Sequence, residues 1–125
     1  MDINKELTKA ELQIMNILWD YGPGFVNDII SKMDEPKPAY TTISTIVRIL
    51  VNKGFVTFEA FGKTHRYSAV ISRENYMENF IYNIKQDYFK GSFSSLVSFF
   101  SRKEKLSKSE IQEIVDILND NQENL

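Results

Sequence analysis

The sequence predicts a mainly α-helical protein interrupted once by a small β-hairpin. Three observations predict it. Apolar residues recur at helical spacing, most clearly Ile43, Ile46, Val47, Leu50 and Val51 within T-T-I-S-T-I-V-R-I-L-V-N, Thr41 to Asn52. After Gly54 the spacing changes: F-V-T-F-E-A (Phe55 to Ala60) and R-Y-S-A-V (Arg66 to Val70) are rich in β-branched and aromatic residues. Beyond Ser72 the helical spacing returns.

The first helix opens in Leu7-Thr8-Lys9-Ala10-Glu11-Leu12. Thr8 is its cap, Glu11 completes a capping box, and Leu7 and Leu12 stand where a hydrophobic staple would close. Leu12, Met15 and Trp19 are expected on one side, and Gly22-Pro23 ends the helix. A second, shorter helix is expected from Phe25 or Val26 to Met33, burying Val26, Ile29, Ile30 and Met33. Pro36 and Pro38 then forbid continuation. The third helix runs from Tyr40 to Lys53 and stops at Gly54, a residue suited to a left-handed C-terminal position.

Opposite the apolar stripe of the third helix lie Thr41, Ser44, Thr45, Arg48 and Asn52. On the helix alone, an ordinary solvated face is the simpler reading. The segment that follows reverses it. Two strand-like stretches flank a tip expected at Phe61-Gly62-Lys63-Thr64-His65, which reads as a hairpin. Three helices followed by a hairpin with a basic tip is the winged helix-turn-helix order. In that arrangement the third helix enters the DNA major groove and the hairpin reaches the flanking backbone or minor groove. Short hydroxyls and a guanidinium suit such a face, since they bond base edges and phosphates.

Past Ser72, a plausible cap, a helix is expected to about Tyr88 or Phe89, with Met77, Phe80, Ile81, Ile84 and Tyr88 as its apolar stripe. Gly91-Ser92 breaks it, and Phe93, Leu96, Val97 and Phe100 mark a short helix. Leu106-Ser107-Lys108-Ser109-Glu110-Ile111 repeats the capping box and staple of the first helix, and Ile111, Ile114, Val115 and Leu118 give the last helix its stripe. The polar tail from Asn119 to Leu125 is expected to fray. The expected division is a winged-helix DNA-binding domain over residues 1–71 and a helical dimerisation domain over 72–125. A lobe of that size, without disulfide or metal, buries too little apolar surface to stand comfortably alone. Two interlocked copies sharing a core are favoured over a monomeric lobe packed on the winged domain.

Composition narrows the function. The 125-residue chain has no cysteine and a single histidine, His65, so a disulfide frame, a thiolate metal site, a thiol nucleophile and a histidine-rich metal site are not expected. No apolar run reaches the roughly 18 residues of a membrane span, and charges break up the N-terminal residues where a signal peptide would lie. A cytoplasmic protein without membrane insertion is expected. Net charge is −2, but from Pro36 to Ser72 five bases face one acid, a local charge of +4. A basic segment on an acidic chain is a footprint for phosphates.

Together these stretches resemble the penicillinase repressor (BlaI/MecI/CopY) family of bacterial winged-helix repressors. The marks are L-T-K-A-E-L-Q-I-M-N-I-L-W (Leu7 to Trp19), A-Y-T-T-I-S-T-I-V-R-I-L-V-N-K-G-F-V (Ala39 to Val56), the wing F-G-K-T-H-R-Y (Phe61 to Tyr67), S-S-L-V-S-F-F (Ser94 to Phe100) and L-S-K-S-E-I-Q-E-I (Leu106 to Ile114). The resemblance implies a homodimeric repressor on a palindromic, double-stranded DNA operator. Carried over by position, Thr41, Thr42, Ser44, Thr45 and Arg48 would face the groove, and Lys63 and Arg66 would hold backbone near the wing. Phe80, Ile84, Phe93, Leu96, Val97, Phe100, Ile111, Ile114 and Leu118 would serve dimerisation.

In the β-lactamase and methicillin-resistance branches, release from DNA follows cleavage triggered by a membrane-bound sensor protease, at an Asn-Phe bond in the penultimate helix. The matching dipeptide here is Phe99-Phe100, which lacks the Asn. The copper-responsive branch carries a cysteine cluster that this chain lacks. Phe25 stands where many relatives have a capping Thr or Ser. No cofactor is expected, and no means of sensing an inducer directly is evident. An alternative reading is a winged-helix protein-protein interaction module, for which exposed Ile49 and Phe61 are the only hints. An enzyme is the least supported, since no nucleophile elbow, phosphate loop or ligand cluster is present.

Overall fold

The computed structural model describes residues 6–123. In chain order it contains α1 (Lys9–Tyr21), α2 (Val26–Ser31), α3 (Tyr40–Lys53), β1 (Val56–Phe61), β2 (Thr64–Ala69), α4 (Arg73–Phe89), α5 (Phe93–Lys103) and α6 (Lys108–Glu123). The strands pair antiparallel, with Phe58 opposite Tyr67 and Glu59 opposite Arg66. The order is that of a winged helix followed by further helices. The chain falls into two compact units, Met1–Asn83 and Ile84–Leu125, so the first turns of α4 belong with the winged unit.

The core of the first unit is built by Ile14, Met15 and Leu18 of α1, Val26 and Ile29 of α2, and Ile43, Val47 and Leu50 of α3, closed by Phe55, Ile71 and Tyr76. The α3 stripe is as its spacing predicts, with Ile46 and Val51 half-buried at its edges. Gly54 takes a left-handed φ of 86°, and the next residue, Phe55, drops into the core. The α1 capping box forms: Glu11 N donates to Thr8 Oγ1 at 3.2 Å, and Thr8 N donates to Glu11 Oε1 at 2.8 Å.

Several expectations are corrected. The inward face of α1 is Glu11, Ile14, Met15 and Leu18, whereas Leu12 is exposed. Glu11 is buried on that face with Lys53 supplying its counter-charge. α2 is shorter than expected, ending at Ser31, because the Lys32 and Met33 N–H groups bond to carbonyls only three residues back. The hairpin tip is tighter too. β1 reaches Phe61 and β2 starts at Thr64, leaving Gly62 and Lys63 as the turn, with Gly62 at a φ of 64°. A two-residue hairpin turn demands such a left-handed residue, which glycine adopts freely.

On α4 the buried residue is Tyr76, with Phe80 half-buried, while Met77, Ile81 and Tyr88 are exposed. Tyr76 wins the inward place because its hydroxyl has a partner: Leu7 N donates to it at 3.0 Å. Its ring also lies 6.1 Å from both Trp19 and Phe55.

In the second unit, Ser92 caps α5 by accepting from Ser95 N at 3.1 Å, and Ser107 caps α6 by accepting from Glu110 N at 3.1 Å. The Phe89 and Phe99 rings pack with centroids 5.7 Å apart. α6 continues through Glu123, past the Asn119 at which fraying was expected; no Gly or Pro interrupts it, and each added residue propagates an existing helix. Residues 124 and 125 of that tail lie outside the described residues.

Candidate nucleic-acid interface

α3 presents Thr41, Thr42, Thr45 and Arg48 to solvent, with Ser44 half-buried between them. Thr45 Oγ1 donates to the Thr41 carbonyl at 2.9 Å, so its proton is committed to its own helix and its lone pairs face outward. The first turn of α3 is open: the N-cap is Ala39, which supplies no side-chain bond. Its leading N–H groups and the positive end of the helix dipole therefore remain available to an anion.

The five bases of the positive segment have different fates. Lys53 is engaged by Glu11, with Nζ 2.8 Å from Oε2. Lys37 Nζ donates to the Met33 and Ser31 carbonyls, closing the C-terminal end of α2. Arg66 pairs across the hairpin with Glu59 at 3.3 Å and lies over the Phe61 ring. Arg48 and Lys63 have no ion-pair partner among the described residues. The footprint read from the sequence thus narrows to two free cations.

Those two cations share a cleft. Arg48 and Lys63 line one cleft of about 490 Å³, together with Ser44, Tyr40, Phe25, Asp28, Thr64, His65 and Tyr67. The cleft lies between the α2–α3 side and the wing, so Ser44, Arg48 and Lys63 converge as expected residues, while Thr41, Thr42, Thr45 and Arg66 do not line it. Tyr40 is a participant that sequence reasoning missed, although its spacing of four from Ser44 and eight from Arg48 was a usable signal. Tyr67 was missed because a strand aromatic reads as core. Burial raises its phenol above the ordinary value; the nearby Tyr40 adds to this, and Arg48 opposes it. The His65 ring stacks on Phe58 with centroids 4.4 Å apart, which fixes one face of the wing.

The expected dimerisation residues divide between the units. Phe80 packs against the core of the first unit. In the second, Leu96 is buried and Ile84 half-buried, whereas Phe93, Val97, Phe100, Ile111, Ile114 and Leu118 are exposed. Val115 and Ile117 are exposed as well, so α5 and α6 both carry uncovered apolar side chains. Phe99 and Phe100 both lie within α5.

Among the described residues no cluster of His, Cys, Asp or Glu could hold a metal ion, and no helix is long and apolar enough to cross a membrane. Residues 7–120 match the family model described as penicillinase repressor. The methicillin resistance regulatory protein MecI of Staphylococcus aureus (strain N315) is 33% identical over 115 residues, covering 91% of this chain and 94% of that protein. The penicillinase repressor of Bacillus licheniformis is 25% identical over 114 residues, covering 90% and 89%. Among solved structures, the hsRosR-S4 complex superposes with a TM-score of 0.52 at 14% identity, covering 98% of this chain and 95% of that chain.

Proposed function

This chain belongs to the penicillinase repressor family, and from that premise we propose that it represses by holding a palindromic operator as a homodimer. It is a DNA-binding transcriptional repressor, not an enzyme. The finer assignment gives operator contact to residues 1–71 and self-association to 72–125. Thr41, Thr42, Ser44, Thr45 and Arg48 face the groove, and Lys63 and Arg66 hold the flanking backbone.

The observation that carries this reading is the convergence of the two unpaired cations, Arg48 on α3 and Lys63 on the wing, beside an uncapped helix start. A module built to bind protein would expose apolar residues there. The two hints for that alternative, Ile49 and Phe61, are both exposed, but Phe61 also packs against Phe25 and lies under Arg66.

Self-association is supported by the exposed apolar residues of α5 and α6. A short helix pair with such a face gains stability by covering it with a second copy. Relief by proteolysis is the matching proposal for regulation, with the cut between Ser94 and Lys105 and a membrane-bound sensor protease system as its source. Phe99-Phe100 lies inside a helix, so a protease cutting there must first unwind part of α5; Glu104 to Ser107, between α5 and α6, offers a non-helical strand.

The deciding experiment is enrichment of a duplex from a random-sequence library by the full chain, followed by footprinting and sedimentation of the complex. A two-fold symmetric footprint with two chains per duplex supports the proposal. Failure to enrich any sequence, or one chain bound per site, refutes it.

A further inference from the structure

We propose that the cleft between α3 and the wing is a seat for one backbone phosphate of bound DNA, with the Tyr67 hydroxyl as a donor beside Arg48 and Lys63. The inference rests on the DNA-binding reading above and adds a contact residue to it.

Tyr67 is only 9% exposed, and its ring is part of the core. Its backbone is fixed twice over, by pairing with Phe58 and by a two-way bridge to Gly24, in which Gly24 N donates to the Tyr67 carbonyl at 3.0 Å and Tyr67 N donates to the Gly24 carbonyl at 2.8 Å. The hydroxyl, by contrast, has no hydrogen-bond partner among the described residues. Every fully enclosed side-chain nitrogen or oxygen among those residues does have one. The hydroxyl must therefore open onto the cleft that the residue lines. A rigidly held hydroxyl that opens onto a cleft, with no partner inside the protein, is placed to donate to a group bound there.

The cleft's charge says which acceptor. Its ionic lining is Arg48 and Lys63 against one carboxylate, Asp28, whose Oδ2 already accepts from Phe25 N at 2.9 Å. Arg48 lies within electrostatic reach of the Tyr67 phenol. Two cations and a fixed hydroxyl donor suit a compact oxyanion rather than an apolar group. The surrounding face is the one that approaches DNA, so the oxyanion is a phosphate of the duplex backbone.

The test uses Tyr67→Phe, which keeps the ring and removes only the hydroxyl. Since no internal hydrogen bond is lost, its thermal midpoint should match the wild type, and binding is compared at a temperature where both are folded by circular dichroism. On the duplex enriched by the full chain, affinity should fall about ten-fold, the scale of one hydrogen bond to a charged group. It should fall by the same factor on a random duplex, because phosphate contacts carry no sequence. The salt slope should stay unchanged, because no charge is removed. A methylphosphonate scan of the enriched duplex should find one position per half-site where wild type loses affinity and Tyr67→Phe loses less. Wild-type affinity for Tyr67→Phe, while Arg48→Ala still weakens binding, overturns the phosphate seat and leaves the DNA reading intact. A loss confined to the enriched duplex also overturns it, since the hydroxyl would then be reading bases. If no duplex is enriched, the DNA reading itself fails and this inference with it.

Discussion

Lys53 Nζ lies 2.8 Å from Glu11 Oε2, joining the last turn of α3 to the first turn of α1. The same carboxylate accepts the Thr8 N–H, so one buried group caps one helix and anchors another. Glu11→Ala should therefore cost about 2–3 kcal/mol, combining a lost cap with a cation left unpaired. Urea denaturation of the full chain measures it; a loss below about 0.5 kcal/mol would mean that the pair is idle.

The same contact gives a pH dependence. Burial alone would raise the Glu11 carboxyl, but the hydrogen bonds from Lys53 and Thr8 and the Lys53 charge outweigh it, so it lies below its ordinary value of 4.5. A depressed carboxyl stabilises the fold fully above that ordinary value, and the benefit is lost as pH falls through the lower, folded value. Stability measured downward from pH 5 should decline in wild type, and Glu11→Gln should remove part of that slope.

In the cleft between α3 and the wing, Arg48→Ala should weaken DNA binding by about 1–3 kcal/mol. Lys63→Ala should weaken enriched and random duplexes alike and lower the salt slope by roughly one. Anisotropy titrations at several salt concentrations separate the two. Unaltered binding in both variants would remove the cleft from the interface.

Arg66 is held by Glu59, with its side chain nearly half exposed. Glu59→Gln removes a negative charge from the wing and frees Arg66 for phosphate. We expect affinity to rise a few-fold at low salt and the salt slope to steepen by roughly one. Weaker binding would show instead that Glu59 positions Arg66 usefully.

For the second unit, Ile114→Asp places a charge among the exposed apolar residues of α6. Sedimentation should show monomers and operator binding should fail, with the winged unit still folded. Truncation after Ser98 should act similarly, lowering operator affinity by on the order of 10²–10⁴ as the second half-site contact ceases to be intramolecular. Dimers in either case would contradict the pairing proposal.

Much of the fold was legible in the sequence because its signals are local. The α3 stripe, the Thr8–Glu11 and Ser107–Glu110 boxes and Gly54 each act within a few residues. What stayed hidden depends on contacts far along the chain. Glu11 is buried because of Lys53, and Tyr76 turns inward because of Leu7; neither partner can be paired by spacing. The cleft was half legible: Ser44 and Arg48 share a helical face, but their meeting with Lys63 and Tyr67 needs the hairpin's register.

The hydrogen bond from Leu7 N to the Tyr76 hydroxyl, and that from Trp19 Nε1 to the Ile71 carbonyl at 2.9 Å, also set an order of events at birth. They clasp the beginning of the winged unit to its end. During synthesis the N-terminal helices emerge first, yet their final latch waits for Tyr76. The winged unit therefore cannot be completed until Tyr76 is available. Contacts of such long sequence separation slow folding. A nascent chain stalled before Ile71 should leave the Leu7 and Trp19 ends of α1 unlatched and open to protease, and one stalled beyond Phe80 should protect them.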